Sequence, residues 1–211
     1  MSRCVILSAC PVQPELKRLL RSDDFIIACD AGYRNCERLG CKPDIIVGDF
    51  DSAPCPQQNA DDIVVLPHVK DDTDTEYAAK LAAQKGFDEV LLLGALGGRR
   101  VEHTLANLCT GLGLEQRGIR AALQDERSRI TFVLPGESRC YPKEEFFYFS
   151  AFPMEGRAEG VYEKGSFYEL EDAVLTAGYP LGVSNEYAEG SCCITVSTRQ
   201  GALVVVETIA D

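Results

Sequence analysis

The 211-residue chain has no tryptophan, two methionines and two histidines, His68 and His103. With imidazole this scarce and no C-x-x-C pair among ten cysteines, the ligand pattern of a structural zinc centre is missing. The cysteines (Cys4, Cys10, Cys29, Cys36, Cys41, Cys55, Cys109, Cys140, Cys192 and Cys193) show no repeated spacing. Several lie in apolar runs such as VILSAC, FIIAC and SCCITV, where a reduced thiol packs as a small hydrophobe. Basic residues are few as well: 21 Lys and Arg stand against 33 Asp and Glu, a formal charge of -12. A surface of that sign repels a phosphate backbone, so no nucleic-acid partner is expected. No apolar run approaches the roughly 18 residues of a membrane span. The run Cys4–Ala9 is also too short for the apolar part of a signal peptide. A cytoplasmic protein with no membrane partner is the expectation. The P-loop, the G-x-G-x-x-G fingerprint and the G-x-S-x-G elbow are all absent, which leaves covalent serine chemistry without its motif.

What is present is enough for a folded core, with 45% hydrophobic residues. Up to about Glu126, short β-branched runs alternate with helical patterns. The expected strands are Cys4–Ala9, Phe25–Cys29, Ile45–Val47, Ile63–Leu66, Val90–Leu93 and Ile119–Leu123. Helical composition falls at Pro14–Arg21, Tyr33–Leu39, Asp74–Lys85 and Thr104–Arg117. Continuous apolar strands joined by helices predict an α/β domain over residues 1–126, a mostly parallel sheet with helices on both faces. Residues 127–211 carry β-type runs at Ile130–Leu134, Phe146–Phe152, Glu159–Tyr162, Phe167–Leu170, Cys192–Ser197 and Ala202–Glu207, separated by Pro-Gly and Gly turns. That texture predicts an antiparallel β-sandwich.

In an open parallel sheet, ligands bind beyond the carboxyl ends of the strands. Acidic residues and glycines gather there. Asp30-Ala31-Gly32-Tyr33 follows the second strand, Gly48-Asp49-Phe50-Asp51-Ser52 the third, Lys70-Asp71-Asp72-Thr73-Asp74 the fourth, and Gly94–His103 the fifth. Asp49 and Asp51 are two apart, so in an extended segment both carboxylates face one side and repel unless a cation joins them. Mg²⁺ takes one or two carboxylates and completes its octahedron with water and phosphate oxygens. A plain turn also accounts for Gly, Asp and Ser at these positions. Thr73-Asp74-Thr75-Glu76 matches a capping box, which explains Thr73 and Glu76 without any ligand. Arg99 and Arg100 carry forked donors suited to phosphate, and His103 serves equally as a phosphate donor or a structural imidazole.

Five segments taken together resemble the thiamine pyrophosphokinase family. They are Asp30–Tyr33, Lys42–Ser52 with its G-D-F-D-S string, Lys70–Asp74, the R-V-E-H-T-L-A-N stretch Arg100–Asn107, and Gly182-Val183-Ser184-Asn185-Glu186. The resemblance implies an N-terminal α/β domain, a C-terminal β-sandwich, and a homodimer with active sites between subunits. It implies transfer of pyrophosphate from ATP to the hydroxyl of thiamine, with Mg²⁺ as cofactor and AMP as by-product. By position, Asp49, Asp51 and Asp74 would hold the metal. Asp30, Gly32, Lys70, Thr73, Arg99, Arg100, Glu102, His103 and Asn107 would serve the nucleotide. Ser184 and Asn185 would hold the thiamine pyrimidine from the sandwich domain. Asp71, Asp74 and Arg100 would carry the chemistry, with either Asp71 or a water accepting the alcohol's proton.

The chain departs from the family pattern in three places. Ala31 replaces a glycine, Glu102 replaces an aspartate, and Gly98-Arg99-Arg100 carries one extra residue, so two arginines compete for one role. Some members set a tryptophan near the thiamine; none exists here, which leaves open the aromatic that packs on the substrate, with Tyr187 as one candidate. Two further readings remain: another Mg²⁺-dependent phosphoryl or nucleotidyl transferase on the same scaffold, and a non-catalytic sensor of nucleotide or thiamine.

Overall fold

A computed structural model describes residues 2–50, 62–67 and 71–210. Of the residues singled out above, Asp51 and Lys70 lie outside the described residues, as do His68 and Cys55. The chain divides into two compact units, Met1–Glu126 and Arg127–Asp211.

The first unit holds strands β1 (Arg3–Leu7), β2 (Phe25–Cys29), β3 (Ile45–Gly48), β4 (Asp62–Val65), β5 (Glu89–Leu93) and β6 (Arg120–Gln124). All pair in parallel, in the order β6-β5-β1-β2-β3-β4. Alternate residues of β1 supply both faces. Val5 and Leu7 pack with Leu16, Ile26, Ala28, Cys36 and Leu39, while Cys4 and Ile6 on the opposite face are equally buried. Helices cover both sides: α1 (Tyr33–Leu39) joins the first cluster, and α2 (Asp74–Gln84) packs on β1, β2 and β3. The third helix, α3 (Val101–Gln116), packs on α2 and β6. The chain runs outward from β1 through β2, β3 and β4, then returns to add β5 and β6 on the other side of β1. The reversal between β1 and β5 leaves a crevice at their carboxyl ends.

Two differences from the expected elements have local causes. Pro14–Leu19 forms a 3-10 helix rather than α-helix; it is six residues long and starts on proline. Helix α3 begins at Val101, three residues before the expected Thr104, so His103 lies inside its first turn.

The second unit is an antiparallel sandwich. One sheet has the order β12-β9-β14-β7, from β7 (Ser128–Val133), β9 (Tyr148–Pro153), β12 (Asn185–Glu186) and β14 (Leu203–Thr208). The other has the order β11-β10-β13-β8, from β8 (Ser138–Pro142), β10 (Arg157–Lys164), β11 (Leu170–Thr176) and β13 (Cys193–Ser197). Val133, Phe149 and Val205 from the first meet Tyr141, Val161, Leu175 and Ile194 from the second. Tyr141 and Phe149 meet edge-on at 5.1 Å. The run Phe167–Leu170 is not a strand. Pairing starts at Leu170, and Phe167 and Tyr168 are exposed, because β-type composition alone does not separate an edge-forming aromatic corner from a strand. No helix among the described residues is long and apolar enough to cross a membrane.

Candidate active site

Residues following β1, β2, β3 and β5 line a cavity of about 520 Å³ in the first unit. Ser8, Ala9, Cys10 and Pro11 come from the β1 end, Cys29 and Asp30 from β2, and Asp49 from β3. Gly94, Gly97, Gly98, Arg99 and Arg100 come from the β5 end, with His103 and Asn107 on α3. Asp72, Thr73, Asp74 and Thr75 close the wall at the start of α2.

The acidic side is built on unusual backbone. Asp30 sits at φ 44 and Phe50 at φ 55, the left-handed region that costs a non-glycine residue about 1–3 kcal/mol. Such turns directly after β2 and β3 aim Asp30 and Asp49 at one cavity. Gly48 makes the approach possible, since a Cβ there would stand 3.1 Å from the Asp30 Cα. Gly32, expected on the nucleotide side, is buried at the same turn and is not among the lining residues. A Cβ at that position would fall 1.9 Å from the Leu7 carbonyl oxygen, so glycine lets the turn press against β1. Asp74 opens α2, whose cap is Thr73: its Oγ1 accepts from the Glu76 amide at 3.1 Å. The Glu76 carboxylate reaches α3, where it accepts from Thr110 Oγ1 at 2.8 Å. Asp72 is paired with Lys80 at 2.6 Å and 2.8 Å. The Ser8 and Thr75 hydroxyls meet at 2.9 Å beneath this wall. Burial pushes the Cys29 thiol well up, with Asp74 adding to the effect, so Cys29 stays protonated and donates to the Asp74 carbonyl at 3.6 Å.

The opposite side is glycine-rich and cationic. Gly94, Gly97 and Gly98 all have positive φ. Cys10 Sγ donates to the Gly97 carbonyl at 3.4 Å, Thr104 Oγ1 to the same carbonyl at 3.3 Å, and Asn107 Nδ2 to the Ala95 carbonyl at 2.7 Å. Asn107 is thus both a cavity residue and the pin of the loop. Arg100 and Glu102 are exposed partners at 2.7 Å. That contact, more than any other influence, holds the Glu102 carboxyl below its usual range. Glu102 itself is not a lining residue.

Among the expected site residues, the fold brings Asp30, Asp49, Thr73, Asp74, Arg99, Arg100, His103 and Asn107 to one cavity. Asp71 is exposed and is not among the lining residues, whereas its neighbour Asp72 is. The lining loop Ser8–Pro11 carries no charge, so its position after the central strand is its one sequence signal. Among the described residues, no three His, Cys, Asp or Glu side chains gather tightly enough to hold an ion by themselves. Two carboxylates of this wall with phosphate oxygens nevertheless make a hard oxygen donor set, the kind Mg²⁺ accepts.

Ser184 and Asn185 belong to the second unit. Ser184 is exposed at φ 55, its amide donating to Ser150 Oγ at 3.0 Å. Asn185 is buried and points inward. Its Oδ1 accepts from the amides of Tyr168 and Glu186, and its Nδ2 donates to the Tyr168 carbonyl and to Glu163 Oε1 at 2.5 Å. Glu163 is buried too, and burial pushes its carboxyl up to about 7 against opposing hydrogen bonds from Ser166 and Asn185. Tyr187, the aromatic expected at the substrate, is a core residue whose hydroxyl donates to the Pro142 carbonyl at 3.1 Å.

Known proteins match along the whole chain. The family model for the thiamin pyrophosphokinase catalytic domain covers residues 16–123, and that for the thiamin pyrophosphokinase vitamin B1 binding domain covers residues 139–203. The thiamine pyrophosphokinase of Bacillus subtilis (strain 168) is 26% identical over 200 residues, 92% of each chain. The crystal structure of thiamine pyrophosphokinase from Bacillus subtilis superimposes with a TM-score of 0.87 at 24% identity, covering 100% of both chains. That of a thiamin pyrophosphokinase family protein from Enterococcus faecalis gives 0.82 at 25%, again over 100% of both.

Proposed function

The chain belongs to the thiamin pyrophosphokinase family, a transferase of pyrophosphate to thiamine with a nucleotide co-substrate, and from that membership we propose how its own residues do the work. The donor is ATP, bound with Mg²⁺ in the cavity of the first unit, and the products are thiamine diphosphate and AMP. One observation carries this reading: four carboxylates from three separate chain segments and the Arg99–Arg100 pair line the same cavity.

Asp49 and Asp74, with Asp51, are the metal-holding carboxylates of the proposal. A bound Mg²⁺ would neutralise phosphate charge and hold the triphosphate against an acidic wall that would otherwise repel it. Arg99 and Arg100 line the same cavity and would supply forked donors to phosphate oxygens. The glycine loop gives the nucleotide close approach to backbone. In-line attack by the thiamine alcohol on the β-phosphorus then depends on positioning and charge neutralisation. Asp71, exposed beside the cavity-lining Asp72, is the proposed acceptor of the alcohol's proton. The second unit, which the vitamin B1 domain matches, presents Ser184 to thiamine, with Asn185 bracing the segment from behind. We further assign the protein to the cytoplasm as a homodimer.

The test is product analysis after incubation with ATP, Mg²⁺ and thiamine. Thiamine diphosphate and AMP in equal amounts are expected. Thiamine monophosphate with ADP would instead identify a single-phosphoryl transferase, and binding without turnover would identify a sensor.

A further inference from the structure

The uncharged wall of the cavity is held from behind by a residue that does not itself line it. Asn35 lies in the middle of α1 and is 1% exposed. Its Nδ2 donates to the carbonyls of Ser8 and Cys10, both at 2.8 Å. Its Oδ1 accepts from the Val12 amide at 3.2 Å and from Arg38 Nη1 at 2.8 Å. Both donors and both lone pairs of the amide are therefore used, and three of the four bonds go to the backbone of one five-residue loop.

The second wall converges on the same point. A Cβ at Gly94 would stand 2.6 Å from the carbonyl oxygens of Ser8 and Cys10, and 2.9 Å from Asn35 Nδ2. Only glycine leaves room for the amide between the two loops. The Cys10 amide then donates to the Gly94 carbonyl at 3.0 Å, and the Cys10 thiol to Gly97.

We infer that Asn35 is a positioning residue for the nucleotide, acting through the Ser8–Val12 loop and the Gly94 turn that meets it. An anion cannot rest against carbonyl oxygens. By drawing the Ser8 and Cys10 carbonyls toward α1, Asn35 removes two negative dipole ends from the wall that phosphate must approach. It also fixes the spacing between that wall and the glycine loop. Arg38, bonded to Oδ1, keeps the amide in the one orientation that offers both N–H groups to the loop. This inference rests on the nucleotide reading of the cavity.

The decisive variant is Asn35→Asp, equal in size but with an oxygen where two carbonyls now receive donors. ATP binding is measured by calorimetry with Mg²⁺, alongside the KM values for ATP and thiamine. The control is Leu39→Ala, which opens a void in the same helix away from the cavity. Asn35→Asp is expected to weaken ATP binding and raise the KM for ATP at least tenfold, while the KM for thiamine stays within twofold. Leu39→Ala is expected to lower the melting temperature with both KM values within twofold. Equal shifts in both substrates, no shift in ATP, or the same ATP effect from Leu39→Ala would overturn the assignment. If Asn35→Asp does not fold, Asn35→Ser decides by the same readout, with a threefold weakening of ATP expected and none contradicting. A wild-type protein that binds no ATP would reject the nucleotide reading itself, and the loop assignment with it.

Discussion

Side chains with similar chemistry have been given opposite tasks by their surroundings. Asp49 and Asp74 line a cavity, where the proposal gives them a metal ion to hold. Replacing either by asparagine keeps shape and removes charge, so turnover is expected to fall at least about a hundredfold with little change in melting temperature. Steady-state kinetics of both variants checks this, and near-normal turnover would refute the metal role. Glu163 is a carboxyl sealed inside the sandwich, with its pKa raised to about 7 from an ordinary 4.5. Because the folded pKa lies above the unfolded one, its contribution to stability is full below about pH 4.5 and is lost as pH rises through 7. Glu163→Gln is therefore expected to lessen the fall in melting temperature between pH 5 and pH 8, read by calorimetry at both values. An unchanged pH slope would show that Glu163 does not titrate there. The sequence made the acidic residues easy to see, since charges after buried strands stand out. It did not show that Asn185 would turn inward or that Tyr187 would be core, because alternation in a short edge strand does not say which face is covered. Asn35 was equally hidden: a polar residue in a short helix has no periodicity to mark it.

At the level of elements, turns rather than helices or strands set the site. Most strands of the first unit were legible within a residue or two, because buried parallel strands read as short apolar runs between turn signals. The strands β8 and β12 were not, since Ser138–Pro142 and the two residues of β12 carry too little apolar pattern to register. Gly32 offers the sharpest test of an element junction. Gly32→Ala would place a methyl 1.9 Å from the Leu7 carbonyl and force the Asp30 turn off β1. Overpacking of this kind costs about 1–3 kcal/mol or more. A large drop in melting temperature with loss of ATP binding is expected from thermal unfolding and calorimetry; an unperturbed variant would show that the turn does not depend on that contact. Thr73→Ala, by comparison, removes one capping bond of α2 and is expected to cost about 1 kcal/mol.

For the whole molecule, two units with different texture match two family domains in the family's order. The boundary near Glu126 was readable because the pattern changes from strand–helix alternation to strands with turns. The homodimer rests on family resemblance. Light scattering is expected to give twice the 23.1 kDa chain mass, and a monomer at working concentration would contradict it. The account depends most on carboxylates far apart in the chain meeting at one metal-bound nucleotide. A crystal structure with Mg²⁺ and a non-hydrolysable ATP analogue tests this directly. The expected result is an ion in the first unit's cavity, about 2.0–2.1 Å from carboxylate oxygens of Asp49 and Asp74 and from the analogue's phosphates. An analogue bound there with its ion held away from both aspartates, or bound elsewhere altogether, would contradict the account.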